Sequence, residues 1–188
     1  MKKSKKLIAA DIAECAVFIA LMVAGAFISI PIPYVPITFQ TVISVLSGLM
    51  LGWKKGVISM SIYCLMGLIG IPVFAAGGGI FYVLKPSFGY IIGFILSALV
   101  AGLIAGKSGY PFWRYIVAAL AACIADYLIG TPYCMIAAVI LKMENLTTLF
   151  VMSNLVFIPK DVALCIIAAV IAWRVMPAVS KLKQTDNE

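Results

Sequence analysis

Asn154-Leu155-Val156-Phe157-Ile158-Pro159-Lys160-Asp161 opens the last apolar run of the chain. That run is long enough to cross a bilayer as a helix. A lysine and an aspartate thus stand side by side where a membrane-spanning helix is predicted to begin. Since charges near lipid need a partner or a water-filled cavity, we interpret Lys160 and Asp161 as half of a polar ligand site. The alternative is a helix cap whose two charges pair with each other or with lipid headgroups.

Composition places the chain in a membrane. Hydrophobic residues make up 64% of the 188 residues, charged residues 11%, and the mean hydropathy is +1.15. Such a chain cannot cover a soluble core with polar surface, so we predict an all-α integral membrane protein. The net charge of +7 comes from basic residues in short clusters beside apolar runs. This arrangement argues against nucleic-acid binding.

The chemistry-bearing residues give no indication of an enzyme. The sequence has no histidine, which removes Ser-His-Asp and Cys-His catalysis and the commonest metal ligand. The five cysteines lie inside apolar segments without CxxC or CxxH spacing, so buried thiols are expected. We therefore predict no catalytic residues, no metal site and no cofactor, and an intramembrane enzyme is the weakest interpretation.

Six apolar segments predict six transmembrane helices in a single domain over residues 1–188. The segments cover roughly residues 8–30, 38–52, 56–73, 88–106, 113–141 and 161–179. Eleven of the 14 lysines and arginines fall on one face, which places both termini in the cytoplasm of a cell-membrane protein. The long connections rich in glycine, proline and aromatic residues fall on the other face. We therefore expect a ligand site that faces outside.

Polar and aromatic side chains collect near this predicted outer face. Glycines let a loop approach a ligand closely, and aromatic rings supply an apolar wall. An aspartate can accept two N–H groups of a urea-like ligand, and a lysine can hold a carboxylate. The set fits a small amphipathic molecule with an anionic end. The candidate ligand-binding residues here are Thr38, Gln40, Phe74, Gly77, Gly78, Gly79, Tyr90, Asn154, Lys160 and Asp161.

Asp126 is a further candidate because it is a formal charge deep inside the fifth span. A carboxyl group at that depth is by default a ligand contact or a proton carrier. A protonated or hydrogen-bonded contact between helices is the structural alternative. As a proton carrier, Asp126 would make the chain a self-contained secondary carrier of a small amphipathic solute. The sequence lacks a nucleotide-binding loop, so active transport needs an ion gradient or a partner.

Small residues recur at four-residue spacing. Ala16, Ala20 and Ala24 share one face of the first helix, which suits either packing inside the bundle or docking of a separate membrane subunit. Glycines at positions 48, 52 and 56, and at 89 and 93, repeat the pattern. We assign those glycines to helix packing.

Several sequence blocks follow one another in a fixed order. They are Pro36-Ile37-Thr38-Phe39-Gln40, Leu49-Met50-Leu51-Gly52, Gly70-Ile71-Pro72-Val73-Phe74, the glycine triplet at 77–79, Pro86-Ser87-Phe88-Gly89-Tyr90-Ile91-Ile92-Gly93-Phe94 and Pro159-Lys160-Asp161. Together they resemble the BioY family, the biotin-capturing S components of energy-coupling factor (ECF) transporters. The resemblance runs from about residue 16 to 175.

The resemblance implies a six-helix S component of a bacterial-type cell membrane that binds biotin from outside with high affinity. It also implies two kinds of partner, a membrane coupling subunit and two cytoplasmic ATPase subunits. The alanine motif of the family's first helix contacts the coupling subunit, and Ala16, Ala20 and Ala24 match that motif in position.

One departure from the family concerns the start of the last helix. BioY proteins commonly show Pro-Gly-Asp followed three residues later by a lysine. Here Lys160 stands at the glycine position and Leu164 at the lysine position. Asp161 is retained, whereas the cation has moved.

Overall fold

The computed structural model describes the backbone of residues 2–30, 35–106 and 110–185, and the side chains within 9–30, 35–106, 110–151 and 154–179. This part of the chain is helical, and five of its helical segments are long and apolar enough to cross a membrane. The prediction of an all-α membrane protein is thus confirmed. The α-helices are α1 (Lys2–Phe27), α2 (Gln40–Leu68), α3 (Phe88–Ala105), α4 (Phe112–Ile140), α5 (Leu146–Phe150) and α6 (Phe157–Thr185), with a 3₁₀-helix at Ile80–Leu84 and a π-helix at Val151–Val156.

Helix α2 consists of two arms, α2a (residues 40–51) and α2b (residues 53–68). They meet at Gly52, whose φ of 77° and ψ of 169° lie where glycine alone enters at low cost. A Cβ atom on Gly56 would lie 3.2 Å from the Cα atom of Gly48, whereas eight residues of straight helix span about 12 Å. The two arms therefore fold back on each other. They correspond to the predicted segments 38–52 and 56–73.

Helix α6 begins earlier than the sequence predicted. The predicted segment, 161–179, started behind Pro159, but α6 begins at Phe157 and is continuous with the π-helix and α5. Pro159 lies three residues after the π-helix, whose wider turns accommodate a proline within a continuous helix. The proline therefore does not mark the start of the helix.

Helix α3 packs between α2 and α4, and small residues make the close approach possible. A Cβ atom on Gly48 would lie 2.4 Å from the carbonyl oxygen of Ala98, and one on Gly93 would lie 2.1 Å from Asp126 Oδ1. Gly89 lies against Tyr133 in the same way. Each position thus has room for a glycine only. The packing role is confirmed for Gly48, Gly56, Gly89 and Gly93 but was wrong for Gly52, which forms the turn and would meet no atom within 4 Å if it carried a Cβ.

The two ends of the bundle differ in their buried side chains. The loop end carries residues 35–39, 69–87 and 141–156, and its core is aromatic, with Tyr63, Phe74, Tyr82, Phe88 and Phe94 among the buried residues. The turn end contains Gly52 and the junction of α3 with α4, and its core is rich in alanine. Small residues let the helices approach closely at the turn end. The aromatic side chains fill a wider space at the loop end, and the site lies there.

Candidate ligand-binding site

A cavity of about 40 Å³ lies at the loop end between α2a, α3, α4 and α6. Its wall combines aromatic rings with a few polar groups, which is typical of small-molecule sites. Four separate stretches of the chain contribute residues to its wall. The lining residues are Val35, Pro36, Thr38, Gln40, Thr41, Ala75, Tyr82, Ser87, Tyr90, Ile91, Phe94, Tyr127, Phe157, Lys160 and Asp161.

The polar centre of the cavity is the pair formed by Lys160 and Asp161. Lys160 Nζ lies 2.8 Å from Asp161 Oδ1 and donates a hydrogen bond of 2.7 Å to the carbonyl oxygen of Thr38. The hydroxyl of Tyr127 donates to Asp161 Oδ2 over 2.6 Å. Asp161 is 3% exposed, so its charge depends on these protein partners rather than on water. The pair thereby joins α6, α4 and the segment before α2.

A second polar group fixes the opposite wall. Gln40 is buried and its Nε2 donates to the hydroxyl of Tyr63 over 2.5 Å. The Tyr63 hydroxyl in turn donates to the carbonyl oxygen of Val73 over 3.0 Å. This chain of hydrogen bonds connects α2a, α2b and the 69–79 loop. The amide of Gln40 is therefore held in place at the cavity wall.

The family of the chain follows from a match that spans nearly its whole length. Residues 1–181 match the family model described as "BioY family". The chain belongs to the BioY family.

Two relatives and one solved structure carry the comparison further. A protein of Lysinibacillus sphaericus described as "Probable biotin transporter BioY" is 42% identical over 162 residues, 85% of this chain and 83% of that protein. A Pyrococcus horikoshii protein with the same description is 36% identical over 167 residues, 88% of this chain and 96% of that protein. The fold resembles the S-component for biotin from an ECF-type ABC transporter, with a TM-score of 0.67 and 28% identity over 90% of this chain and 92% of that one.

Five of the candidate residues line the cavity of this BioY family member: Thr38, Gln40, Tyr90, Lys160 and Asp161. Asn154 lies behind that wall. It accepts a hydrogen bond of 2.6 Å from the Thr131 hydroxyl, which is 3.4 Å from the hydroxyl of Tyr90. Its amide nitrogen donates to the carbonyl oxygen of Phe150 over 2.9 Å. Asn154 thus supports a cavity residue rather than facing the cavity.

Phe74 and the glycine triplet also lie outside the cavity lining. Phe74 is buried against Gly67, and its ring centroid is 4.6 Å from that of the cavity residue Tyr82. Gly77 exchanges two backbone hydrogen bonds with Phe74, and the N–H of Gly79 donates to Gly67. Gly78 packs close to the backbone of the preceding loop. These residues fold the 69–79 loop onto α2b, and the sequence did not distinguish such support from contact.

Asp126 is fully buried between α4 and α3 and does not line the cavity. Its carboxyl group lies against Gly93, and neither oxygen makes a well-oriented hydrogen bond to the described residues. Thr41, which does line the cavity, is its side-chain neighbour on α2a. The structure therefore places Asp126 behind the cavity wall, with the side chain of Thr41 between them. A role in binding or proton transfer stays a prediction.

Sequence reasoning missed Tyr127 as a site residue. A tyrosine inside an apolar run does not break the pattern, so nothing singled it out beside Asp126. Successive residues on a helix point about 100° apart, which turns Asp126 toward α3 and Tyr127 toward α6. Its ring also packs edge-on against Tyr90, with centroids 5.8 Å apart. Tyr127 consequently connects the charged pair with the aromatic wall.

The alanine face of α1 points away from the bundle. Ala16, Ala20 and Ala24 are all exposed, whereas Phe18, Met22 and Ala26 are buried. Packing of the three alanines inside the described part of the chain, one of the two interpretations from sequence, is therefore wrong. Docking of a separate membrane subunit on this face stays a prediction.

Replacing Tyr127 tests the polar centre. We expect Tyr127→Phe to lower the stability of the ligand-free protein by about 1–3 kcal/mol, because a buried Asp161 oxygen loses its donor. The apparent melting temperature of the purified protein in detergent micelles measures this loss. Tyr110→Phe is the matched control, since Tyr110 is 39% exposed. Equal melting temperatures for the two variants would contradict the role of Tyr127.

Proposed function

We propose that this chain captures biotin and carries it into the cell as the substrate-binding S component of an ECF-type ABC transporter. The observation that carries the proposal is the Lys160–Asp161 pair, with Asp161 buried and Lys160 partly exposed, at a cavity in a fold that resembles the biotin S-component. Membership of a transporter family also argues against an enzyme. Biotin is then the cargo, and the proposal includes no cofactor.

The chemistry of biotin matches the cavity in three ways. Its ureido ring offers two N–H donors and a carbonyl acceptor, which suit the Asp161 carboxylate and the Gln40 amide. Its fused rings are apolar enough to pack on Tyr90 and Phe94. Its carboxylate lies at the end of the molecule opposite the ureido ring and needs a cation, so Lys160, the cation in the lining, separates from Asp161 and extends toward that end when biotin binds. The cavity of about 40 Å³ is smaller than the roughly 300–1,000 Å³ typical of ligand sites. Biotin therefore enters when the walls move apart.

Lys160 supplies the cation one helical turn before the position at which the family commonly has it. Residues 160 and 164 are four apart in α6 and lie on the same helix face. A long lysine side chain at 160 can therefore reach the region that a lysine at 164 would serve. Leu164 then contributes only apolar contact.

The fold-back of α2a and α2b supports six spans rather than five. With six spans, the described ends of α1 and α6 lie on the same side of the membrane. The excess of lysine and arginine near the turn end supports a cytoplasmic location for that side. The loop end, with its cavity, then faces outside, and residues 1–188 form one transmembrane domain.

Energy for uptake comes from partners in this proposal. The chain has no nucleotide-binding loop, so a membrane coupling subunit and two cytoplasmic ATPase subunits supply ATP hydrolysis. The exposed face of Ala16, Ala20 and Ala24 is the docking surface for the coupling subunit. Small side chains there let another helix approach the α1 backbone closely.

Biotin binding depends on Asp161 in this proposal. We expect Asp161→Asn to weaken binding of labelled biotin by roughly 10- to 150-fold, the equivalent of about 1.5–3 kcal/mol for a hydrogen bond to a charged group. Equilibrium binding to the purified protein gives the dissociation constant. Glu144→Gln, an exposed carboxylate at the loop end, is the matched control. Unchanged affinity in Asp161→Asn would remove Asp161 from the site.

The proposed contact between Lys160 and the carboxylate of biotin can be tested by changing the ligand. The intact protein should bind biotin more tightly than biotin methyl ester, because the ester has no negative charge for Lys160. In Lys160→Met this preference should shrink by about tenfold, the size of a lost charged contact. Competition binding with biotin and biotin methyl ester measures the ratio of the two affinities. A preference that survives the substitution would place another group at the carboxylate.

Reconstitution in liposomes separates the S component from a secondary carrier. The chain alone should not concentrate biotin under an imposed proton gradient. The same chain with a coupling subunit, two ATPase subunits and ATP should do so, and Asp126→Asn should leave that uptake in place. Gradient-driven uptake by the chain alone, lost in Asp126→Asn, would instead favour the carrier.

A further inference from the structure

Helix α1 is tied to the start of α2b by a cluster of three charges. Lys55 Nζ lies 2.9 Å from Asp11 Oδ1 and also contacts Glu14 Oε2. The side chains of Lys55 and Glu14 are only 22% and 25% exposed. The thiol of Cys15 adds a weak hydrogen bond of 3.8 Å to the carbonyl oxygen of Lys55. We name Asp11, Glu14 and Lys55 the ionic cluster.

The acidic residues of the ionic cluster lie on the same side of α1 as its buried residues. Glu14 is followed at spacings of four by the buried residues Phe18 and Met22, and Asp11 lies one turn before Glu14 with its side chain 56% exposed. Residues three and four apart lie on one side of a helix. The alanines at 16, 20 and 24 are two residues away from this series, a rotation of about 200°, so they point outward. The partly buried Glu14 thus extends the buried stripe toward the turn end, and Asp11 lies at its exposed end.

The other attachments of α1 lie far from the ionic cluster. At the loop end, the N–H of Phe39 donates to the carbonyl oxygen of Gly25 over 3.3 Å, and Ile43 packs on Gly25. Ile30 and Ile37 exchange two backbone hydrogen bonds. Between the two ends, α1 packs chiefly on α2. A helix held along one side in this way can turn about its axis unless both ends are fixed.

We propose that the ionic cluster fixes the rotation of α1 and thereby presents the alanine face to a membrane partner. Lys55 is a positioning residue here, because it contacts α1 and acts on docking through the orientation of that helix. The partner is a helix with close-packing small residues, which is the coupling subunit if the proposed function holds. Lys54, the neighbour of Lys55 in the sequence, is exposed, and its Nζ lies 5.4 Å from the centroid of the Trp53 ring. Lys54 therefore does not take part in fixing α1.

The rotation of α1 can be measured on the full chain alone. Nitroxide labels are placed at position 20 or 19 after the native cysteines are replaced, and oxygen accessibility in bilayers reports exposure to lipid. In the parent protein, the oxygen accessibility of the label should be higher at position 20 than at position 19. Lys55→Met should reduce this ratio, Lys54→Met should not, and Lys55→Glu combined with Glu14→Lys should restore it. A ratio that is unchanged in Lys55→Met overturns the proposal.

Capture of a co-expressed coupling subunit measures the consequence. We expect Lys55→Met to weaken capture by roughly fivefold, the factor expected for a charged contact of this kind, while biotin binding stays unchanged. Lys54→Met should capture normally, and the charge-swapped pair should recover capture. Normal capture by Lys55→Met, with capture lost in Ala20→Trp, overturns the role of the ionic cluster. Normal capture by Ala20→Trp would instead show that the alanine face is not the docking surface. Biotin binding by the chain alone tests the proposed capture of biotin separately.

Discussion

A carboxylate that is withdrawn from water must find its partners within the protein, and Asp161 shows how much of the structure that requirement involves. Its oxygens engage Lys160 in the same helix and Tyr127 in α4. Lys160 continues to the carbonyl of Thr38, ahead of α2a. Three distant parts of the chain thus converge because leaving either charge alone in a low-dielectric interior costs several kcal/mol. The site and the packing of the loop end therefore have the same origin.

The aromatic wall around this pair rests on a second set of supports. Tyr63 binds Gln40 and Val73, and Phe74 fills the space beside Gly67. Asn154 and Thr131 hold the region of Tyr90. Such outer contacts fix the orientation of the side chains that face a ligand. The glycine-rich 69–79 segment is accordingly part of the frame that holds the cavity, through its buried residues Val73 and Phe74.

The sequence predicted the charged half of the site well and the uncharged half poorly. Lys160 and Asp161 stand out because charges in an apolar run are rare and costly. Tyr127 does not stand out, since its ring suits an apolar helix and its hydroxyl matters only when α6 lies opposite. Asn154 looked like a ligand contact, but its amide is occupied by Thr131 and Phe150. Polarity thus indicated where the site is without showing which groups face inward.

The sequence also predicted some helix ends well and others poorly. The spans were predicted from hydropathy, and the fold-back at Gly52 agrees with the two separate segments, 38–52 and 56–73, expected there. Pro159 was misleading as a sign of a helix start, because the π-helix before it keeps the backbone helical and accommodates the proline.

By itself, the sequence determined the helical membrane class, the family, the basic side and the Lys160–Asp161 pair. These follow from transfer free energies and residue order, which are properties of each segment alone. Only the tertiary structure decided that Tyr127 reaches Asp161, that Asp126 lies behind the wall and that the alanines of α1 face outward. Those facts depend on the rotation of each helix about its axis. Packing against helices distant in the sequence sets that rotation.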